Sequence, residues 1–377
     1  MKTKNIIATL ALSFLILLTS CAASDAGVSP TPAATPNNIT TAEPAAVEPT
    51  STPIPSASAA PEASTLTVHY IDVGQADSSL IICGGESMLI DGGNVADSDL
   101  VAAYLKKENM STLDYLICTH AHEDHCGGLA GALSTVKVEN ALAPQTEADT
   151  QAYQNFKDKA AAQGLTIIRP SAGDGFTLGG AYVRIVGPIT EDADDLNNTS
   201  IVIKLEFGNT SFLFAGDAER DEEQEILNAG YDISADVLKV GHHGSDSSTS
   251  YVWLREIMPK YAVISVGKGN SYGHPTEEVL SRLRDAGTQV FRTDLQGDII
   301  AQSDGNSVTI TTEKNENIQT NETEAEPAES GYIGNRNSKK FHRPNCRTLP
   351  DEKNRVPLSS REEAVSKGYS PCGNCNP

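Results

Sequence analysis

The chain has 377 residues and a formal net charge of −22, from 50 Asp and Glu against 28 Lys and Arg. A hydrophobic share of 39% supplies a core for one large domain or two smaller ones. So acidic a chain repels polyanions over most of its surface, which excludes a broadly basic nucleic-acid-coating protein.

Lys2 and Lys4 precede an apolar run over residues 6–18, followed by Leu18-Thr19-Ser20-Cys21. This is the pattern of a secretory signal, too short to span a bilayer. Cysteine after Leu-Thr-Ser resembles the bacterial lipobox. That implies cleavage before Cys21, a lipid on its sulfur, and residence on the outer face of the cell membrane, with some release. The alternative is an ordinary signal peptide with a stray cysteine. Residues 22–64 are rich in Ala, Pro, Thr and Ser and contain no Lys or Arg. They cannot bury enough apolar surface to fold and read as a tether.

The folded part is expected over residues 65–314. Residues 66–72, 79–83 and 87–91 read as strands, with Gly84-Gly85 as a hairpin turn. A helix is expected over 97–109, a buried strand over 115–118 and a helix start at 129–133. Then follow a strand at 138–143, a helix at 146–163, and strands at 165–168, 182–186, 200–207 and 211–215. A helix at 219–228 and strands at 236–240 and 259–266 come next. Strand runs interleaved with single helices predict two mixed sheets with helices outside, an αββα sandwich. Cys83 and Cys118 fall in strands and read as buried thiols; Cys126 serves either packing or support of the neighbouring loop.

Between the strand at 115–118 and the helix at 129–133 runs Thr119-His120-Ala121-His122-Glu123-Asp124-His125-Cys126-Gly127-Gly128. Four metal-competent side chains fall within six residues, on a loop at a strand's C-terminal end. His120 and His122 can turn toward one cation, and Asp124 and His125 toward a second. Imidazoles suit zinc and similar metals, and a carboxylate adds a harder ligand. Gly127-Gly128 is expected to let the backbone turn into the following helix.

His120-x-His122-x-Asp124-His125 resembles the metallo-β-lactamase-fold hydrolases. The phrases Tyr70-Ile71-Asp72-Val73-Gly74-Gln75-Ala76-Asp77, Leu89-Ile90-Asp91-Gly92-Gly93, Phe214-Ala215-Gly216-Asp217, Val240-Gly241-His242-His243-Gly244-Ser245 and Tyr272-Gly273-His274-Pro275 narrow it. They look like the extracellular hydrolase domain of the ComEC competence proteins and their soluble relatives, over roughly residues 66–314. The resemblance implies two divalent metal ions, zinc or manganese, held by His120, His122, Asp124, His125, Asp217 and His243. Asp217 would bridge them, and Asp91 would support the metal loop. His242 would bind substrate or orient a ligand, and His274 would sit at the rim as a proton donor or phosphate contact, or pack at a helix N-terminus. Asp124, Asp217, His242 and His274 are thus the catalytic candidates. Asp72 and Asp77 match the phrase but fit turn or capping roles equally well. Many members place another histidine before the bridging aspartate. None lies between His125 and His242, and Asn197-Asn198-Thr199-Ser200 stands there, as asparagine does in ComEC-like members. Asn198 is therefore expected beside a first metal site that is weaker or prefers manganese.

Residues 315–330 are acidic and read as a linker. Residues 331–377 carry His342-x3-Cys346 and Cys372-x2-Cys375, which read as a closed structural zinc site; a disulfide between two of the three cysteines is the alternative. Tyr332-Ile333-Gly334-Asn335, Phe341-His342 and Gly368-Tyr369-Ser370-Pro371-Cys372 resemble the metal-binding domain of the Ada repair proteins. His342 stands in the first ligand position, so methyl transfer is not implied. This stretch holds nine Lys or Arg against four Asp or Glu, which suits nucleic acid or a negatively charged cell wall.

The expectation is a membrane-tethered, monomeric phosphodiesterase or nuclease acting on extracellular DNA, single strands included, through a hydroxide between two metals. The obstacle is charge, since residues 66–314 hold 17 Lys or Arg against 37 Asp or Glu. The competing reading is hydrolysis of small or wall-attached phosphodiesters, resembling the phosphorylcholine esterases. Hydrolysis of β-lactams and a non-catalytic binding role fit the motifs less well.

Overall fold

The computed structural model describes residues 65–190, 195–321, 332–344, 346, 348–359 and 361–373. The expected signal, Cys21, the tether and Cys375 lie outside them. In chain order the strands of the large domain begin with β1 Leu66–Tyr70, β2 Ser79–Cys83, β3 Glu86–Ile90, β4 Thr112–Ile117 and β5 Lys137–Leu142. Then come β6 Gly175–Leu178, β7 Ala181–Gly187, β8 Val202–Phe207, β9 Thr210–Phe214 and β10 Val237–Lys239. The last four are β11 Tyr261–Ile264, β12 Gln289–Arg292, β13 Ile299–Ser303 and β14 Val308–Thr312. They form two seven-stranded sheets, ordered β14-β13-β1-β2-β3-β4-β5 and β12-β11-β10-β9-β8-β7-β6.

Three apolar layers hold the domain together. Between the sheets lie Tyr70, Ile81, Ile117, Phe212, Phe214 and Val263, among others. The first sheet's outer face packs Leu80, Leu89, Leu116, Leu129 and Phe156 under helices α1 Ser98–Lys107, α2 Glu123–Cys126, α3 Leu129–Thr135 and α4 Gln151–Ala162. The second sheet's outer face packs Leu213, Leu238, Ile264, Trp253 and Leu283 under α5 Arg220–Ala229, α6 Tyr251–Ile257 and α7 Glu277–Asp285. Strands buried on both faces need nearly continuous apolar sequence, which Phe212-Leu213-Phe214 of β9 and all of β11 have. Each large core side chain contributes ~1.5–3 kcal/mol by burial. Side-chain N-caps from Thr150, Ser250 and Thr276 start α4, α6 and α7. The fold is the expected four-layer αββα sandwich.

Parallel pairing aligns β3, β4 and β5 in one sheet and β9, β10, β11 and β12 in the other. Their C-terminal ends emerge on one side, where Asp91, His120, Asp217, His242 and His243 follow.

Some expectations change. Residues 165–168 form no strand; Ile168 makes a single bridge to Leu142. Gly164, with φ +78°, and Pro170 confine that stretch too closely for a ladder. The start of the expected 315–330 linker is not free either. Asn315 donates to the Leu295 carbonyl at 2.7 Å, Thr320 donates to the Val290 carbonyl at 2.5 Å, and Arg284 donates to the Asn321 carbonyl. Residues 315–321 thus run as an arm against the second sheet.

The C-terminal module has its own four-stranded sheet. Its strands are β15 Tyr332–Asn335, β16 Lys340–His342, β17 Arg355–Leu358 and β18 Ser370–Pro371, in the order β17-β15-β16-β18. Phe341, Leu358, Ala364 and Tyr369 make up its core. So few apolar residues cannot stabilise a domain without a staple.

Candidate metal centre

The His120–Gly128 loop is fixed by backbone contacts to two other loops. Gly92 N–H donates to the His125 carbonyl at 2.8 Å, Gly128 N–H to the Gly93 carbonyl at 3.0 Å, and Asp77 N–H to the Asp124 carbonyl at 3.1 Å. Gly127 and Gly128 have right-handed helical backbones, which any residue adopts. They are glycines for another reason than turning. A Cβ on Gly128 would lie 1.8 Å from the Gly92 oxygen, and one on Gly127 would lie 2.4 Å from the Val95 nitrogen.

Asp124, His125, Asp217 and His243 converge, with their ligand atoms within 4.8 Å of one another. His125 Nε2 lies 3.3 Å from Asp217 Oδ1, and His243 Nε2 lies 3.2 Å from Asp124 Oδ2 and 3.7 Å from Asp217 Oδ2. On the other flank, His120 Nε2 lies 3.9 Å from Asp217 Oδ2 and 3.0 Å from His122 Nδ1. Asp217 thus faces both halves. His125 Nε2 and Asp217 Oδ1 are buried and have no hydrogen-bond partner. Two orphaned ligand atoms inside a mixed imidazole–carboxylate set fit divalent cations.

The two halves are supported differently. Behind His125, Asp91 accepts from Nδ1 at 2.9 Å, and also from the Thr119 N–H and hydroxyl at 2.8 and 2.7 Å. Behind His243, Nδ1 hydrogen-bonds the Ser265 carbonyl at 3.0 Å, and the charge of Asp77 stands beside it with Oδ1 at 3.2 Å. Asp77 is held in turn by buried Lys239 at 2.6 Å. Carboxylates behind ligand histidines fix the tautomer and raise basicity. His120 Nδ1 meets only the hydroxyls of Thr119 at 3.2 Å and Ser200 at 3.4 Å.

Charge follows this arrangement. Burial alone would depress His125, but Asp217, Asp91 and Asp124 outweigh it and hold the imidazole well above its ordinary value. Burial likewise opposes protonation of His243, yet Asp217 and Asp77 carry it up to about 10. His120 goes the other way: burial and the neighbouring His125 charge keep it well below 6.5. Asp217 is held low despite burial by His125 and His243.

His242 and His243 both have left-handed backbones, at φ 49° and 52°. Such strain costs ~1–3 kcal/mol per residue and turns the two side chains apart. His243 enters the cluster. His242 stands at its mouth, with Nδ1 3.0 Å from Glu219 and 3.2 Å from the Ser247 hydroxyl, and Nε2 3.9 Å from Asp217 Oδ2. His274 packs its ring 5.7 Å from that of His242, and burial followed by the His242 charge lowers it to about 4.

Asn198 departs from expectation. Its oxygen accepts from the Glu219 and Glu222 N–H groups and its amide donates to Asp195. It therefore caps the start of α5, and Ser200 is the residue of that run which reaches the cluster. Asp77, Lys239, Ser200 and Thr119 were not singled out from sequence as site residues. A lone lysine in the apolar strand β10 is the signal that would have flagged Lys239, since a buried charge needs a partner.

In the module, His342, Cys346 and Cys372 are buried and bring their ligand atoms within 4.8 Å; His342 Nδ1 lies 3.4 Å from Cys346 Sγ. The set fits zinc, with Cys375 outside the described residues.

Comparison with known proteins agrees with both halves. The family described as the metallo-beta-lactamase superfamily matches residues 71–268, and the metal binding domain of Ada matches residues 313–377. ComE operon protein 3 of Bacillus subtilis is 32% identical over 250 residues, covering 62% of this chain and 32% of that protein. Competence protein ComA of Neisseria gonorrhoeae is 31% identical over 228 residues, covering 60% and 30%. Recombination protein 2 of Haemophilus influenzae is 31% identical over 243 residues, covering 62% and 28%. The chain therefore spans about a third of the length of these curated relatives. Among solved structures, YhfI of Bacillus subtilis aligns with a TM-score of 0.44 at 13% identity, over 63% of this chain and 99% of that one. With a cluster that fits divalent metals on an αββα sandwich, and a family match across most of that sandwich, the chain belongs to the metallo-beta-lactamase superfamily.

Proposed function

We propose that this protein is a secreted, lipid-anchored, metal-dependent phosphodiesterase that cleaves single-stranded DNA outside the cell. The observation that carries this reading is Asp217 facing both half-sites, His120 with His122 and His125 with His243 and Asp124. Similarity to competence proteins supports DNA as substrate. When bound, two divalent ions supply Lewis acidity to a phosphoryl group and lower the pKa of water. The chain's own residues do the rest. Asp91, Asp77 and the Ser265 carbonyl hold Nδ1 of the two histidines, so that each Nε2 is aimed at the cluster. His242, tied through Nδ1 to Glu219 and Ser247, presents Nε2 at the mouth as a hydrogen-bond donor to a phosphoryl oxygen and a proton source for the leaving oxygen. The basic module, with a net charge of plus five over 331–377, offsets the acidic domain by capturing the strand. The protein acts as a monomer, anchored through Cys21.

The test uses the purified full chain loaded with zinc or manganese. Single-stranded DNA and a small chromogenic phosphodiester are offered in parallel. Cleavage of DNA that is lost in His122→Ala and Asp124→Ala supports the reading. Cleavage of the small ester alone favours the second reading, a hydrolase of small or wall-attached phosphodiesters, which the net charge of −20 over 66–314 suits.

A further inference from the structure

The loop 267–275 borders the mouth of the cluster and ends in His274. It is built around one side chain. Asn270 donates through Nδ2 to the Gly267 carbonyl at 2.9 Å and the His274 carbonyl at 2.6 Å, and its oxygen accepts from the N–H groups of Tyr272 and His274, each at 3.1 Å. At its base, Gly267 N–H donates to the Gln75 side chain at 3.0 Å. The loop is therefore preorganised. At its tip stands Tyr272, with 71% of its surface exposed.

The other strongly exposed tyrosine is tied down: Tyr251 donates its hydroxyl to Asp285 at 2.8 Å. The Tyr272 hydroxyl has no partner among the described residues. Instead its ring stacks on His274, at 5.7 Å between centroids and 27° between planes, and His274 in turn meets the His242 ring at 5.7 Å. One face of Tyr272 is thus backed by the site and the other is open. Beside it, Lys268 is exposed, and a Cβ on Gly269 or Gly273 would meet nothing within 4 Å. The surroundings are open enough for a planar group to lie on the ring.

We infer that Tyr272 is a stacking platform for a nucleobase adjoining the scissile phosphate, with Lys268 facing the strand's backbone. This rests on the nuclease reading above and adds to it a residue that distinguishes a base-bearing strand from a bare phosphodiester. A single flat ring suits a base; a quaternary ammonium group needs several rings around it. Stacking on an aromatic side chain is tolerant of sequence, so the platform selects unstacked single strands and not a particular base.

The test compares kcat and KM of the full chain, loaded with manganese or zinc, on an oligodeoxynucleotide and on an abasic strand of equal length. Stacking of one base predicts that Tyr272→Ala raises KM about tenfold on the base-bearing strand with little change in kcat. The same change leaves KM on the abasic strand as it was. Tyr272→Phe and Tyr272→Trp restore the lower KM. Equal KM changes on both strands, or none on the base-bearing one, overturn the platform while the nuclease reading stands. If wild-type protein cleaves the small phosphodiester but neither strand, the nuclease reading falls and the platform with it.

Discussion

Replacing Asp91 by Asn tests whether metal affinity resides in the residues behind the ligands. Asn tolerates the left-handed backbone at this position, φ 57°, and keeps the side chain's shape. It removes the charge that faces His125 Nδ1 at 2.9 Å and one of two acceptors for Thr119. No backbone carbonyl stands in for it there, since the nearest other neighbour of Nδ1 is the Thr119 hydroxyl at 3.4 Å. Loss of such a carboxylate typically costs 10–100-fold in affinity, and the full upper value, ~100-fold or about 2.7 kcal/mol, is expected here. Asp77→Asn is the comparison. Behind His243 the Ser265 carbonyl remains at 3.0 Å and still fixes the tautomer, so only ~10-fold is expected. Zinc affinity is measured by competition with a chromophoric chelator, in a Cys346→Ser, Cys372→Ser background that removes the module's zinc. Circular dichroism checks that the metal-free variants are folded. Affinities within twofold of wild type for Asp91→Asn, or a larger loss for Asp77→Asn, would refute the reasoning.

Asp217→Ala should lower turnover at least ~10³-fold, about 4 kcal/mol of barrier, with the far-ultraviolet spectrum unchanged; retained activity sinks its placement between the half-sites. Metal binding should release protons, because His125 and His243 are held protonated in the metal-free protein and ligands must be neutral. Affinity therefore rises with pH between about 6.5 and 10. The metal-free protein keeps the stability due to His243 protonation below pH 6.5 and loses it as pH climbs toward about 10. Calorimetry in buffers of different ionisation heat reads the released protons, and heats independent of buffer would contradict this. Gly128→Ala should be severely destabilising, by more than ~3 kcal/mol, since its Cβ would strike the Gly92 oxygen at 1.8 Å; urea unfolding measures it. Chelation should unfold residues 332–373 alone, seen as hydrogen exchange at Phe341 and Leu358 with α1 and β4 still protected.

The sandwich was legible because its inner strands are apolar runs closed by glycine or aspartate, and because the His120–His125 spacing admits few uses. What escaped has physical causes. Strands β6, β13 and β14 are only four or five residues long; β13 ends in polar Gln302-Ser303 and β14 carries three threonines, so none offers a long apolar run. The helix α7 hides behind Pro275, though its Thr276 cap was readable. Asp77 and Lys239 are 162 residues apart and acquire meaning only once two sheets bring them to 2.6 Å. Glycines at 127 and 128 looked like a turn, but their backbone is ordinary and the requirement comes from another loop's oxygen.

The order of the first sheet decides which way the mouth looks. Leu66 opens β1 opposite Cys83 and Ser303, at the end of the sheet away from Asp91 and His120. After β14 the chain comes out beside Tyr70, on the mouth's side, but the arm at 315–321 carries it back down β12 to Val290 and Arg284, near that strand's start. Whatever holds the polypeptide ahead of Leu66, and whatever hangs from it beyond Asn321, is thus attached at the closed end of the sandwich. The mouth thus lies at the opposite end of the sandwich from the points where the chain enters at Leu66 and leaves at Asn321.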